Sequence, residues 1–391
     1  MQKKRLMFIF GTRPETIKMA PVIAKVKEHP DMFEPIVAVT AQHRQMLDQA
    51  LKPFEIRPDY DLSIMEENQT LGDIITRSIQ GFEGIIRSER PDMILVQGDT
   101  TTTFTGALAA FNHRVPVGHL EAGLRTFNKF NPYPEEMNRR LTTALADLHF
   151  APTKKALDCL VQEGIPRQNI FLTGNTVVDS LLFAVKKPFD LKKAGVDLPK
   201  NKKVILVTTH RRESFGEPMR SVCQALALIA EKHAQIAAVV LPVHRNPRVR
   251  EVVSETLSKT PGVILIEPMD YIPFVHLMKA SHIILSDSGG VQEEAPSLGK
   301  PVLVLRETTE RPEAVEAGTV RMVGTDTDTI VRETEKLLTD ETEYQKMARA
   351  VNPYGDGQAA ERILFAIMRR FGYTDRMPEE FDPARHSLKL K

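Results

Sequence analysis

At 391 residues the chain exceeds the roughly 250–300 residues that one hydrophobic core serves, so two domains are expected. Its 52 Lys and Arg against 51 Asp and Glu leave a net charge of +1, which argues against a global draw toward nucleic acid or an anionic membrane. Two distant cysteines, Cys159 and Cys223, offer neither a disulfide framework nor a C-x-x-C zinc site, and point to a reducing, cytoplasmic setting.

The N-terminal apolar run Leu6–Phe10 is too short for a signal peptide, and no run of about 18 apolar residues occurs, so no membrane span is expected. In chain order, strands are predicted at Leu6–Phe10, Pro35–Thr40, Met93–Gln97, Val115–Gly118 and Leu148–Ala151. Helical patterns at Ile17–Glu28, Leu71–Glu89 and Thr102–Phe111 separate some of them. Such alternation predicts βαβ units around a parallel sheet covered on both faces. The lysine-rich stretch Val185–Lys203, with Pro188 and Pro199, reads as a crossing between domains. Alternation then resumes with strands at Val204–Thr208, Ala237–Pro242, Val263–Ile266, His282–Ser286 and Pro301–Leu305. After the breaker Asn352–Gly357, Gln358–Phe371 carries a wide apolar stripe and must pack on something. The last dozen polar residues are expected to fray.

The densest motif is Asp287-Ser288-Gly289-Gly290, between a strand and a short helix with Glu293 and Glu294 expected in its first turn. Unpaired first-turn N–H groups and glycines that admit close approach suit a ligand bearing phosphates and hydroxyls, such as a nucleotide. A plain strand-turn-helix connection is the alternative. The openings of the two halves echo each other: FIFGTRPE (Phe8–Glu15) and LVTTHRRE (Leu206–Glu213) both end a strand in an arginine-bearing loop. In open α/β sheets such loops line the ligand crevice. Arg13, Lys18, His210, Arg211 and Arg212 could then grip a diphosphate, with Arg306 and Arg311 framing Thr308-Thr309-Glu310.

Candidate carboxylates fall just after strands. Asp99 is read equally as an acid/base group or as the cap of the next helix. Glu121, between apolar neighbours and Gly123, is poorly explained as a solvated charge. Glu135 and Glu136 follow a proline-pinned loop and are spaced to pair with Arg139 and Arg140. There is no G-x-G-x-x-G and no Walker A motif. Asp326-Thr327-Asp328 reads as a turn in which Asp328 caps a helix, and no zinc spacing occurs, so neither metal nor cofactor is expected.

The strings GTRPETIKMAP (Gly11–Pro21), QGDTTTT (Gln97–Thr103), GHLEAGLRT (Gly118–Thr126), HRRES (His210–Ser214), DSGGVQEEAPSLGKPVL (Asp287–Leu303) and TTERPE (Thr308–Glu313) resemble the non-hydrolysing UDP-N-acetylglucosamine 2-epimerases of bacteria, over about Leu6 to Tyr373. The resemblance implies an α/β fold of two Rossmann-like doubly wound domains facing across a cleft, the GT-B arrangement. The domains are expected at 1–180 and 200–355, with the helix at 358–373 packing back on the first. It implies acid/base roles for Asp99, Glu121 and Glu135, with His210 at the leaving group. Arg13, Lys18, Phe274, Ser288, Gly289, Gly290, Glu294 and Arg311 are implied to hold UDP-N-acetylglucosamine or UDP. A second, activating nucleotide sugar is implied at Gln42, His43, Gln45, Glu136, Arg211 and His244, although Asn68 stands where an arginine is expected in that set. A homodimer is also implied. A GT-B glycosyltransferase, a silent nucleotide-sugar sensor and a hydrolysing epimerase are the competing readings. The transferase has no need of three carboxylates around one sugar, and the sensor should have lost some of them.

Overall fold

The computed structural model describes residues 2–40, 44–66, 68–209 and 216–385, without the side chains of 44–46. The chain forms two compact units, one of residues 1–180 with 354–382 and one of residues 181–353 with 383–391.

The first unit begins with β1 (Lys4–Phe10), α1 (Arg13–Lys27), β2 (Phe33–Val39), α2 (Arg44–Leu51), β3 (Tyr60–Asp61) and α3 (Leu71–Glu89). It continues with β4 (Met93–Gln97), α4 (Thr101–Asn112), β5 (Val117–Leu120), α5 (Glu135–Leu145), β6 (Leu148–Ala151), α6 (Lys154–Gln162), β7 (Ile170–Leu172) and α7 (Thr176–Lys186), which runs into the second unit. Its sheet is parallel, in the order β3-β2-β1-β4-β5-β6-β7. Strand order therefore reverses between β1 and β4, and the loops after those strands diverge to leave a crevice at their carboxyl ends.

The second unit holds β8 (Lys203–Thr208), α8 (Glu217–Lys232), β9 (Ala237–Pro242), α9 (Pro247–Leu257), β10 (Val263–Ile266), α10 (Tyr271–Ala280) and β11 (Ile283–Ser286). It goes on through α11 (Gly289–Glu294), β12 (Val302–Val304), α12 (Pro312–Glu316), β13 (Val320–Met322), α13 (Thr327–Thr339) and α14 (Glu341–Ala348), before α15 (Ala359–Arg370) completes the first unit. The sheet order β10-β9-β8-β11-β12-β13 reverses between β8 and β11. The short strands β3, β7 and β13 carry too few residues to establish a period of two, and sequence patterning did not find them.

Burial follows the pleat. Leu6, Phe8 and Phe10 of β1 enter one core with α1 and α15, while Met7 and Ile9 enter another on the opposite face with α3 and α4. A strand covered on both sides reads as an unbroken apolar run, as Leu6–Phe10 does. Ile363, Leu364 and Ile367 of α15 belong to the first of these cores. Pro21 lies inside α1 and cannot donate to the carbonyl of Ile17, one turn earlier; the Ser180 hydroxyl donates to that carbonyl instead.

Two sequence expectations are corrected here. Of the last dozen residues, 386–391 lie outside the described residues, but Phe381 is held: it is buried and its N–H donates to Leu172 O at 2.9 Å, while Arg362 donates to nearby Glu379 O at 3.0 Å. Asp326, not Asp328, caps α13, accepting from Thr329 N at 2.9 Å, because the turn places it one position before the first helical residue.

The start of α15 is held by a buried acid. Asp179 accepts from Ala359 N at 3.3 Å and Ala360 N at 2.9 Å. Burial pushes its pKa up to about 7 against these two N–H groups, and the Asp356 charge adds to the rise. A proton held more tightly in the folded than in the unfolded chain stabilises fully below the ordinary value of 3.8, and that stabilisation is lost as pH climbs to about 7. Asp179→Asn is expected to flatten this decline, whose slope reaches about 1.4 kcal/mol per pH unit, in urea unfolding from about pH 4 to 8. A variant curve parallel to wild type would remove Asp179 as its source.

Candidate active site

In the first unit the candidate residues converge on the carboxyl ends of β1, β4 and β5. Glu121 directly follows β5 with φ 62, a left-handed conformation that a residue with a Cβ adopts at a cost of about 1–3 kcal/mol. Its carboxylate is 8% exposed and takes three donors: Lys18 Nζ at 2.5 Å, Asn175 Nδ2 at 3.2 Å and Gln97 Nε2. The backbone turns tightly here because Gly123, at φ 94, lies where a Cβ would stand 2.2 Å from Ala156 O.

Asp99 lies one turn beyond Gln97. It does not cap α4; Thr100 does, accepting from Thr103 N at 3.2 Å, because Thr100 directly precedes the first helical residue. The Asp99 side chain instead accepts from Arg139, and its carbonyl accepts from Asn138 Nδ2 at 3.0 Å. Arg139 sits one turn after Glu135, the half-buried first residue of α5. Asp99 is thereby drawn to the first turns of α5, the helix that Glu135 opens. Arg139 also donates to Glu136 at 3.3 Å, whereas Arg140 lies 3.8 Å from Glu163.

The scaffold behind these groups is polar and buried. His119 is fully buried, and burial depresses its pKa to about 3, so the ring stays neutral near pH 7. Nε2 lies 2.7 Å from Gly98 O, and a carbonyl only accepts, so Nε2 carries the proton and donates. This bond fixes the turn that presents Asp99. Glu15, 2% exposed, takes Gly11 N at 3.0 Å, Thr12 N at 2.7 Å, Thr100 Oγ1 at 2.5 Å and Thr103 Oγ1 at 3.0 Å. Burial pushes the Glu15 pKa up while those hydrogen bonds act against the rise. Gly11 leaves room for a Thr40–Thr102 hydroxyl pair, since a Cβ there would stand 2.0 Å from Thr40 Oγ1. Arg13 follows in the first turn of α1, partly exposed.

In the second unit, Ser288 N–H donates to Ser286 Oγ at 3.0 Å, and that oxygen lies 2.7 Å from Thr208 Oγ1 across the β8–β11 switch point. Ser288, Gly289 and Gly290 are partly exposed at the opening of α11. Because α11 starts at Gly289, Glu293 and Glu294 fall in its second turn rather than its first, and both are buried. Tyr271 donates to Glu294 at 2.7 Å, and Arg311 donates to Glu293. Thr309 donates to Gln292 Oε1 at 2.7 Å, bringing the TTER segment against α11. Phe274 is half-buried on α10.

A family model described as UDP-N-acetylglucosamine 2-epimerase matches residues 24–368. The UDP-N-acetylglucosamine 2-epimerase of Bacillus subtilis is 50% identical over 384 residues, which cover 97% of this chain and 99% of that protein. Its namesake from Escherichia coli K12 is 54% identical over 370 residues, covering 93% and 98%. A crystal structure of UDP-GlcNAc 2-epimerase from Neisseria meningitidis bound to UDP-GlcNAc is 49% identical with a TM-score of 0.87, over 93% of this chain and 100% of that one. The chain belongs to the UDP-N-acetylglucosamine 2-epimerase family.

Only Glu136 and His244 of the residues expected at a second nucleotide sugar have described side chains. Gln42, His43 and Arg211 lie outside the described residues, as do the Gln45 side chain and the expected leaving-group residue His210. Glu136 is wholly buried and accepts from Thr126 N at 3.0 Å and Phe127 N at 3.1 Å, so it holds the loop before α5. His244 is exposed after β9 and accepts from Asn246 N at 3.2 Å. Asn68 has φ 58, a left-handed position that asparagine tolerates better than arginine. Among the described residues no helix is long and apolar enough to cross a membrane, and no cluster of three or more His, Cys, Asp or Glu could hold a metal.

Sequence reasoning missed Glu15, Gln97, His119 and Asn175 as parts of the site. Glu15 left a trace, since Thr12 and Glu15 form the T-x-x-E spacing of a capping box. Asn175 left none, because it meets Glu121 only through the fold.

Proposed function

We propose that the protein interconverts UDP-N-acetylglucosamine and UDP-N-acetylmannosamine by inversion at carbon 2. The observation that carries this reading is Glu121, a buried carboxylate on left-handed backbone at a sheet switch point, ringed by Lys18, Gln97 and Asn175. Strain of that kind persists where function demands a fixed direction for a side chain. Family membership, and relatives whose names state this activity, support the substrate.

The hydrogen on carbon 2 is not acidic in the ground state, so direct abstraction is disfavoured. The route proposed is non-hydrolysing. The proton on carbon 2 leaves to a carboxylate as the bond from carbon 1 to UDP breaks, giving a 2-acetamidoglucal. UDP then re-adds and a proton returns to the opposite face. Removing and returning the proton on opposite faces needs more than one acid/base group, the role assigned to Asp99, Glu121 and Glu135. His210, Arg13 and Lys18 stabilise the departing diphosphate. Phe274, the Ser288-Gly289-Gly290 turn, Glu294 and Arg311 bind UDP, with Glu294 toward the ribose hydroxyls. Such a product would feed a cell-surface polysaccharide, from the cytoplasm and as a homodimer.

Incubation with UDP-N-acetylglucosamine in deuterium oxide, followed by NMR, is expected to give both UDP-linked epimers with deuterium at carbon 2. Unlabelled substrate with no second epimer would sink the reading. Free sugar as the main product would move it to the hydrolysing reaction.

A further inference from the structure

We propose that Glu15 is a positioning residue for this reaction, tying the loop that carries Arg13 to the loop that carries Asp99. The inference rests on the epimerase reading for its kinetic arm alone. The two oxygens of Glu15 serve different strands. Oε2 accepts the N–H groups of Gly11 and Thr12 at the end of β1, while Oε1 accepts the hydroxyls of Thr100 and Thr103 beyond the end of β4. A residue that only capped α1 would need the first pair and not the second.

The tie continues past β4. The single Thr103 hydroxyl hydrogen is shared between Glu15 Oε1 and Gln97 O, 2.6 Å away, and the Gln97 amide donates to Glu121. From the same face of α1, one turn after Glu15, Lys18 reaches Glu121 at 2.5 Å. One helix therefore sets two contacts: Glu15 registers the Asp99 loop and Lys18 registers Glu121. The strand pairing of β1 with β4 ends at Ile9–Val96, so past that point backbone hydrogen bonding no longer aligns these loops. Glu15 takes over where the ladder stops, and its burial keeps water from competing for the four donors.

Thr103→Val keeps volume, leaves the Thr12–Glu15 capping box untouched and removes the Thr103 hydroxyl's contacts with Glu15 Oε1 and Gln97 O, so that Thr100 alone still joins Glu15 to the β4 loop. Its kcat is expected to fall about tenfold with UDP affinity unchanged, because small misplacement of reacting groups is costly. Glu15→Ala is expected to lose about a hundredfold in kcat, and the double variant no more than Glu15→Ala alone. Glu15→Gln should recover much of the rate, since its carbonyl can accept from Gly11 and Thr12 while its amide donates to the two hydroxyl oxygens. Hydrogen exchange supplies a readout that needs no activity: Thr103→Val should hasten exchange of the Gly11 and Thr12 amides on the other loop. Wild-type kcat in Thr103→Val, multiplying losses in the double variant, or unchanged exchange at Gly11 and Thr12 would overturn the tie. Absence of turnover in the wild type would remove the epimerase reading instead, and the exchange result would still decide whether the loops are coupled.

Discussion

Glu121→Gln is expected to abolish most turnover while leaving UDP binding intact. The substitution keeps length and shape and replaces one acceptor oxygen with an NH2 group. Among the described residues, Glu121 accepts from the Lys18 ammonium, the Gln97 amide and the Asn175 amide. The new amide must therefore point a donor at a donor, and the side chain can no longer exchange a proton. Loss of a positioned acid/base group is worth about 10²–10⁴ in kcat. The nucleotide is assigned to Phe274, Ser288, Gly289, Gly290, Glu294 and Arg311 of the second unit, and Arg13 and Lys18 keep their charges, so UDP affinity by calorimetry should match wild type. Turnover within about tenfold of wild type would remove Glu121 from the acid/base set.

Arg362→Met is expected to cost about 3–5 kcal/mol of stability, because it leaves a buried carboxylate without its partner. Arg362, 5% exposed on α15, meets Asp356 with Nη1 at 2.7 Å and Nη2 at 2.6 Å. It also donates to Thr173 O at 3.1 Å and Glu379 O at 3.0 Å, and lies 5.6 Å from the Phe381 ring centroid. One guanidinium thus joins α15, the turn before it, the end of β7 and the C-terminal tail. Two donors in a planar fork match the carboxylate, which lysine could not do. Urea unfolding of Arg362→Met should show the loss, and adding Asp356→Asn should restore part of it by removing the stranded charge. An unchanged unfolding midpoint in Arg362→Met would mean that water replaces the pair at no cost. Because α15 supplies Ile363, Leu364 and Ile367 to the core beneath β1, loosening it is also expected to reach the loop bearing Arg13.

Much of the architecture was readable in advance. Apolar runs marked the longer strands, since a sheet covered on both faces demands continuous hydrophobicity. Leu71–Glu89 has the bounds that its apolar period predicts, beginning at a Thr70–Asp73 capping box. Strand-end loops carried the chemistry-bearing residues because ligands of such sheets bind there. Local rules failed where two neighbours compete for one job. Asp99 and Thr100 are both good helix caps, as are Asp326 and Asp328, and only the path of the chain decides between them. Thr100 caps α4, and Asp99 is released to Arg139.

By itself, the sequence determined the alternating elements, the placing of the Gly11, Asp99, Glu121 and Ser288 motifs after strands, and the family. Tertiary structure decided what surrounds each carboxylate. Glu121 takes donors that are 24, 54 and 103 residues away in the chain, and Glu15 bonds hydroxyls 85 and 88 residues away. Hydrophobic periodicity is a local signal and survives in the string of residues, whereas a hydrogen bond between distant loops has no local signature. It exists only once the sheet has brought β1, β4 and β5 side by side.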